Sequence, residues 1–274
     1  MNGLVWACRV FLWLIVYSVI GWLYESTLCS ITQRKLVNRG FLNGPLCPVY
    51  GFGALTVIAV FYDKSPGIVE LFLSSAVLTT ALEYVTSYLL EKLFHTRWWD
   101  YSHYRFQLNG RICLAGFLAF GALSVVLMKW VHPFVSGLID RLPQTWLIGV
   151  SAILFVILAA DCIVTVASIL KLNQKLEEIQ SLLDGFQEEA KIKLAEWKKD
   201  TNNKIVSSKE KMTHLKARLE AQFEDKRFPS ERVRELLSRR KFQERRLLRA
   251  FPKMISTRYN DALQQLREKL QKKK

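Results

Sequence analysis

Apolar residues fill the first 170 positions in long runs that are nearly free of charge. Five runs, at about 4–26, 42–62, 67–92, 112–131 and 146–170, reach the roughly 20 residues a helix needs to cross a hydrocarbon core. Lipid offers no hydrogen-bond partner to the backbone, so such runs are expected to be helical. The pattern predicts an all-α, polytopic membrane protein with five transmembrane helices in a domain over 1–172. The first run lacks a basic n-region and a small-residue cleavage site, so it reads as a retained span and not a signal peptide.

After residue 172 the period changes. Leu172, Leu176, Ile179, Leu183, Phe186, Ala190, Leu194 and Trp197 recur at three- and four-residue steps, followed by Ile205, Met212, Leu215, Leu219 and Phe223. This is the seam of a coiled coil or helical hairpin over 173–225, with a break expected at 200–203. Such a seam offers a route to a homodimer. A basic tail over 226–274 follows, in which Pro229 and Pro252 bracket a short helix capped by Ser230.

Charge sharpens this division. Of the 39 Lys/Arg and 24 Asp/Glu that give a net +15, residues 1–170 hold only 11 and 8. The first interhelical loop carries Arg34, Lys35 and Arg39, and the third carries Arg97, Arg105 and Arg111; the other two carry few basic residues. The positive-inside rule then places the first and third loops and the tail in the cytoplasm, with the N-terminus outside. The tail's arginines suit contact with anionic lipid in the bilayer. No nucleic-acid-binding motif occurs, so nucleic acid is not an expected partner. The five cysteines show no CxxC pairing and read as packing residues, and no metal or cofactor is expected.

Polar residues inside the spans are few and periodic. Ser18, Gly21 and Glu25 share a face of span one, Thr80, Glu83, Ser87 and Glu91 one of span three, and Asp161, Thr165 and Ser168 one of span five. An ionised acid in lipid costs about 3 kcal/mol unless it faces protein, water or a partner. Glu25, Glu83 and Asp161 are therefore expected around one hydrated pocket near the inner leaflet. Inter-helix hydrogen bonding is the simpler use of such acids.

Span two begins badly for a helix. In "NRGFLNGPLCPVYGFG" (38–53), Gly40, Gly44, Pro45 and Pro48 obstruct a clean start, so the entry is expected to be broken or re-entrant. Asn38, Arg39 and Asn43 would supply polar groups there, and the helix proper would start near Tyr50 with its positive end toward the pocket. The third loop, "EKLFHTRWWDYSHYRFQLNGRICLAG", offers Trp98 and Trp99 as interface anchors and Asp100 in a local turn through Ser102. Asn109, Gly110 and Arg111 then open span four. Arg111, at a helix N-terminus, calls for an acidic partner such as Glu25, Glu83 or Asp100, or a lipid phosphate.

These two stretches, with the late "RRLLRAFPKM", resemble a bacterial family of membrane proteins classed as ABC-transporter permeases, type IV, over about residues 10–172. The resemblance implies a multi-pass, permease-like protein of the bacterial plasma membrane. The pattern residues it carries over are Glu25, Asn38, Arg39, Gly40, Asn43, Gly44, Pro45, Pro48, Tyr50, Gly51, Glu83, Trp98, Trp99, Asp100, Tyr101, Asn109, Gly110 and Arg111.

The reading that follows is a permease-like protein that binds or translocates a small charged solute or a lipid headgroup. Its site would comprise Glu25, Asn38, Arg39, Asn43, Tyr50, Glu83, Asp100, Asn109, Arg111 and Asp161. The sequence contains no GxxxxGK[ST] phosphate loop, so an ATP-driven cycle would need a separately encoded ATPase. It also lacks HExxH and GxSxG motifs. A lipid-modifying enzyme using Asp100, His95 or His103 is one alternative reading. A membrane-anchored scaffold or sensor whose coiled coil recruits a partner is the other.

Overall fold

A computed structural model describes residues 3–64, 66–202, 231–238 and 242–271. The helices are α1 (Gly3–Gln33), α2 (Pro48–Phe61), α3 (Ile68–Phe94), α4 (Leu114–Val126), α5 (His132–Asp140), α6 (Gln144–Asn202), α7 (Glu231–Ser238), α8 (Phe242–Ala250) and α9 (Asn260–Gln271). Four two-residue strands make two small antiparallel ladders: β1 (Thr96–Arg97) with β4 (Ile255–Ser256), and β2 (Gln107–Leu108) with β3 (Ile112–Cys113).

Among the described residues, four helices are long and apolar enough to cross a membrane: Gly3–Thr32, Ile68–Phe94, Leu114–Asp140 and Gln144–Lys193. Their outer faces keep large apolar side chains exposed, among them Leu73, Val77, Val85 and Leu89 on α3 and Phe155 and Ile163 on α6. Contiguous apolar exposure on this scale suits lipid and not water.

The expected second span is shorter than its apolar run. Helix starts only at Pro48 and lasts 14 residues, about 21 Å at 1.5 Å per residue. Pro45 and Pro48 withhold two backbone donors and push their predecessors out of the helical region, while Pro48 itself fits the first helical turn. The fourth span runs longer than expected because Pro133 does not end it. The chain widens into a π-helical turn over Leu127–Val131 and continues as α5, which accommodates the proline ring where a regular turn would clash.

The chain divides into two compact units, Met1–Leu170 with Gln243–Arg258, and Lys171–Phe242 with Tyr259–Lys274. The first unit has its apolar core where α1, α2, α5 and the start of α6 meet, through Leu12, Trp13, Tyr17, Ile58, Val135, Ile139 and Leu147. In the second unit Leu172, Leu176, Ile179 and Leu183 are buried, as are Val233 and Leu237 of α7 and Ala262, Leu263 and Leu266 of α9. Gln180 Oε1 accepts a hydrogen bond from Ala262 N at 3.1 Å. The first part of the expected coiled-coil seam is thus covered within the chain itself. Over the expected break at 200–203 the helix α6 continues through Asn202; Asn203, the part of the seam from Ile205 to Phe223, and Ser230 lie outside the described residues. The expected basic tail is divided, because 243–258 returns to the membrane unit.

Candidate functional site

The segment between α1 and α2 is non-helical and runs back along α1. Val37 N donates to Ser30 Oγ at 3.0 Å, Arg39 N to Ser26 Oγ at 3.2 Å, and Cys47 N to Ser18 O at 3.0 Å. Those anchors span twelve residues of α1, about 18 Å of helix. Asn38 Oδ1 accepts from Trp22 Nε1 at 2.8 Å and from Gly40 N at 2.9 Å. Both prolines and the glycines leave the segment short of internal hydrogen bonds, so neighbouring elements supply them.

Asp161 of α6 supplies three of them. Its Oδ1 accepts from Asn43 N at 2.9 Å, Asn43 Nδ2 at 2.7 Å and Thr165 Oγ1 at 3.1 Å, and its Oδ2 from Gly44 N at 2.7 Å. On the same segment Arg246 of α8 donates to the carbonyls of Leu42 at 2.6 Å, Gly40 at 3.0 Å and Phe41 at 3.2 Å. Burial of the guanidinium lowers the Arg246 pKa, and the charge of Asp161 pulls it back up. The segment is clamped from both ends of its dipoles: carboxylate on its N–H groups, guanidinium on its carbonyls.

Glu25 makes a second cluster. Tyr50 OH donates to its Oε1 at 2.7 Å, and Arg39 Nε approaches its Oε2 at 3.5 Å. Arg39 also donates to Ala250 O at 2.6 Å and lies 5.1 Å from the Phe251 ring centroid. Tyr50 reaches Glu25 because α1 and α2 touch at Gly21 and Gly51, where an added Cβ would collide with Tyr50 Cβ and with Ser18 Oγ. Small residues let the two backbones approach this closely.

Glu83 stands in a third place. It is 6% exposed; Tyr101 OH donates to its Oε1 at 3.3 Å, and its Oε2 has no hydrogen-bond partner among the described residues. It lines a cavity of about 170 Å³ whose wall is otherwise mostly apolar, with Tyr17, Tyr24, Tyr50 and Phe120 contributing rings. The Tyr101 hydroxyl is pushed far up, first by burial and then by the negative charges of Glu83 and Glu25. Glu25 and Glu83 therefore act on one phenol, whereas Asp161 is engaged on the segment and is not a wall residue. Of the three acids only Glu83 lines this mostly apolar cavity.

The α3–α4 loop holds the rest. Arg111 is 8% exposed and meets Glu91, at 2.9 Å, an acid outside the set expected for it. Arg97 meets the same Glu91 oxygen at 3.0 Å. Glu91 lies on the same polar stripe as Glu83, two turns on, and that spacing was the signal for it. Asn109 adopts a left-handed φ of 52° and donates from Nδ2 to Tyr84 OH at 3.0 Å. Asp100 accepts from Ser102 N at 3.0 Å and Ser102 Oγ at 2.7 Å, the expected local turn. Slight burial works to raise its pKa, but those hydrogen bonds, Arg97 and His103 outweigh it and the net shift is downward. Trp98, expected as an interface anchor, is instead buried, its ring 5.0 Å from Phe41 and 5.1 Å from Phe251.

The sequence reading missed the docking of 243–258. Besides Arg246 and Ala250, β4 pairs with β1, and Thr257 N donates to His95 O at 2.9 Å. Arg246 sits in the "RRLLRAFPKM" stretch, but a basic residue with carbonyl partners two hundred positions away leaves no local pattern. Also unanticipated is a cluster on α1 and α5, where Tyr17 OH and His132 Nδ1 lie 2.7 Å apart beside Trp13.

The model of the family described as "Putative ABC-transporter type IV" matches residues 12–166. No curated protein and no solved structure matches the chain.

Proposed function

Because this chain belongs to the "Putative ABC-transporter type IV" family, we propose that it is a plasma-membrane, permease-like protein that binds or translocates a small charged solute or a lipid headgroup. The path runs between α1, α2, α3 and α4. It passes the cavity walled by Tyr50 and Glu83 and reaches the polar cluster of Glu25, Arg39 and Asn38. Asn43 and Asp161 hold the re-entrant segment, and Asp100, Asn109 and Arg111 order the neighbouring loop. In this reading α2 completes a five-span domain with a cytoplasmic tail, and the protein itself performs no catalysis. An ATP-driven cycle would use a separately encoded ATPase, since the chain lacks the phosphate-loop sequence.

The observation that carries the reading is a buried acid that lines a cavity inside an apolar helix bundle and has one oxygen without a hydrogen-bond partner among the described residues. Intramembrane acids of that kind mark ion and substrate pathways. Cysteine accessibility in nanodiscs tests it. In a cysteine-free background, Tyr50→Cys and Ser124→Cys should react with a small charged methanethiosulfonate reagent added to water. A folded protein in which neither position reacts has no path, and the reading fails.

A further inference from the structure

We propose that the Glu83 cavity is a binding site for a monovalent organic cation with an apolar body, an ammonium on a ring or short alkyl group. The inference rests on the path reading above and deepens it from "charged solute" to one class.

Three features of the wall select that class. First, its single acidic residue is Glu83, and among the described residues no Lys or Arg pairs with it. Its Oε1 accepts only the long 3.3 Å bond from Tyr101, and Oε2 is buried with no hydrogen-bond partner among the described residues. A carboxylate so placed is short of positive charge, and a carboxyl kept neutral still offers an acceptor to an ammonium N–H. Second, aromatic rings surround the space. Tyr24 and Phe120 each pack edge-on against Tyr50, with centroids 6.1 and 6.0 Å apart, and Tyr17 adds a fourth ring. Ring faces attract cations, and more strongly when water is excluded. Third, the remaining wall is aliphatic: Ile20, Leu82, Leu123 and Leu127. A fully hydrophilic cation would lose its hydration there without compensation, whereas an apolar body gains by burial.

Size narrows the class further. The cavity, about 170 Å³, is on the order of the 150 Å³ apolar cavity that holds a benzene ring. An anion finds no Lys or Arg on this wall to balance its charge.

The same ammonium chemistry is offered by a free amine in solution and by the amine headgroup of a lipid. The test therefore uses the full-length protein in nanodiscs of pure phosphatidylglycerol and, separately, with phosphatidylethanolamine added. Benzylammonium is titrated by calorimetry, with neutral benzyl alcohol as the control ligand. We expect saturable binding of the cation, weakened at least tenfold in Glu83→Gln and several-fold in Tyr24→Leu, while binding of benzyl alcohol changes little. Tyr24 lies at the exposed edge of the wall, so its variant keeps the test open if Glu83→Gln does not fold. Competition by phosphatidylethanolamine would identify the lipid amine as an occupant of the site; its absence would identify the free amine. Equal affinity in wild type and Glu83→Gln overturns the proposal. So does the lack of saturable binding in a protein whose Tyr50→Cys form reacts with the thiol reagent, an outcome that leaves the path reading standing. Failure of that labelling defeats the path reading instead.

Discussion

Removing the Arg246 side chain should free the 40–47 segment, and the effect is large enough to measure at a single thiol. Arg246 makes three charge-assisted hydrogen bonds to consecutive carbonyls, at 3.0, 3.2 and 2.6 Å. Such bonds contribute about 1.5–3 kcal/mol each, so the gross interaction is roughly 4.5–9 kcal/mol. Fixing an arginine side chain costs about 2 kcal/mol of rotamer entropy. The guanidinium is only half-buried, so water recovers part of the loss when the side chain is removed. A net of about 2–4 kcal/mol, below the gross figure, is therefore expected for Arg246→Ala. Cys47 reports on it, being 7% exposed with its thiol hydrogen-bonded to Arg39 O at 3.6 Å. With the other four cysteines replaced by alanine, a permeant maleimide in nanodiscs reads the opening equilibrium around Cys47. At about 1.4 kcal/mol per factor of ten, labelling should accelerate roughly 30- to 700-fold. Arg246→Lys keeps the charge but not the fork and should fall between. If Arg246→Ala is folded and labels within about threefold of its parent, the carbonyl clamp does not hold the segment.

Two further outcomes follow from the geometry. Gly51→Ala places a Cβ 2.6 Å from Leu14 O, and overpacking of the α1–α2 contact should cost about 1–3 kcal/mol. Gly53→Ala, whose nearest neighbour would be 3.9 Å away, serves as the control, and comparable unfolding temperatures for the two variants would refute the close contact. Asp100 has a depressed folded-state pKa, so its contribution is complete above the ordinary aspartate value of about 3.9 and is lost as pH falls through the lower folded value. The stability gap between wild type and Asp100→Asn should therefore narrow below about pH 4; a gap independent of pH removes the Ser102 and Arg97 contacts as its source.

The same contacts change how the tail is to be dissected. Truncation after residue 172 would delete not only an appendage but also Arg246, Phe251 and β4, which pack on the membrane unit. Loss of function on such truncation would not single out a scaffold.

What the chain's pattern determined is local. The long apolar runs yield helices because lipid and core alike leave the backbone no partner but itself. Gly40, Gly44, Pro45 and Pro48 break the entry to α2 through steric and donor deficits carried by those residues alone. The polar stripe on α3 was legible as one face, since i and i+4 neighbours are fixed by helix geometry. Which partner each polar group meets was decided only in three dimensions. Arg111 pairs with Glu91 and not with the acids nearer the pocket. Asp161 holds Asn43 and Gly44. Arg246 crosses from position 246 to the carbonyls of 40–42. A charge can be satisfied by any complement within reach, and the packing of distant helices, not sequence spacing, sets what lies within 3 Å. That packing left Glu83 with a buried oxygen that has no hydrogen-bond partner among the described residues.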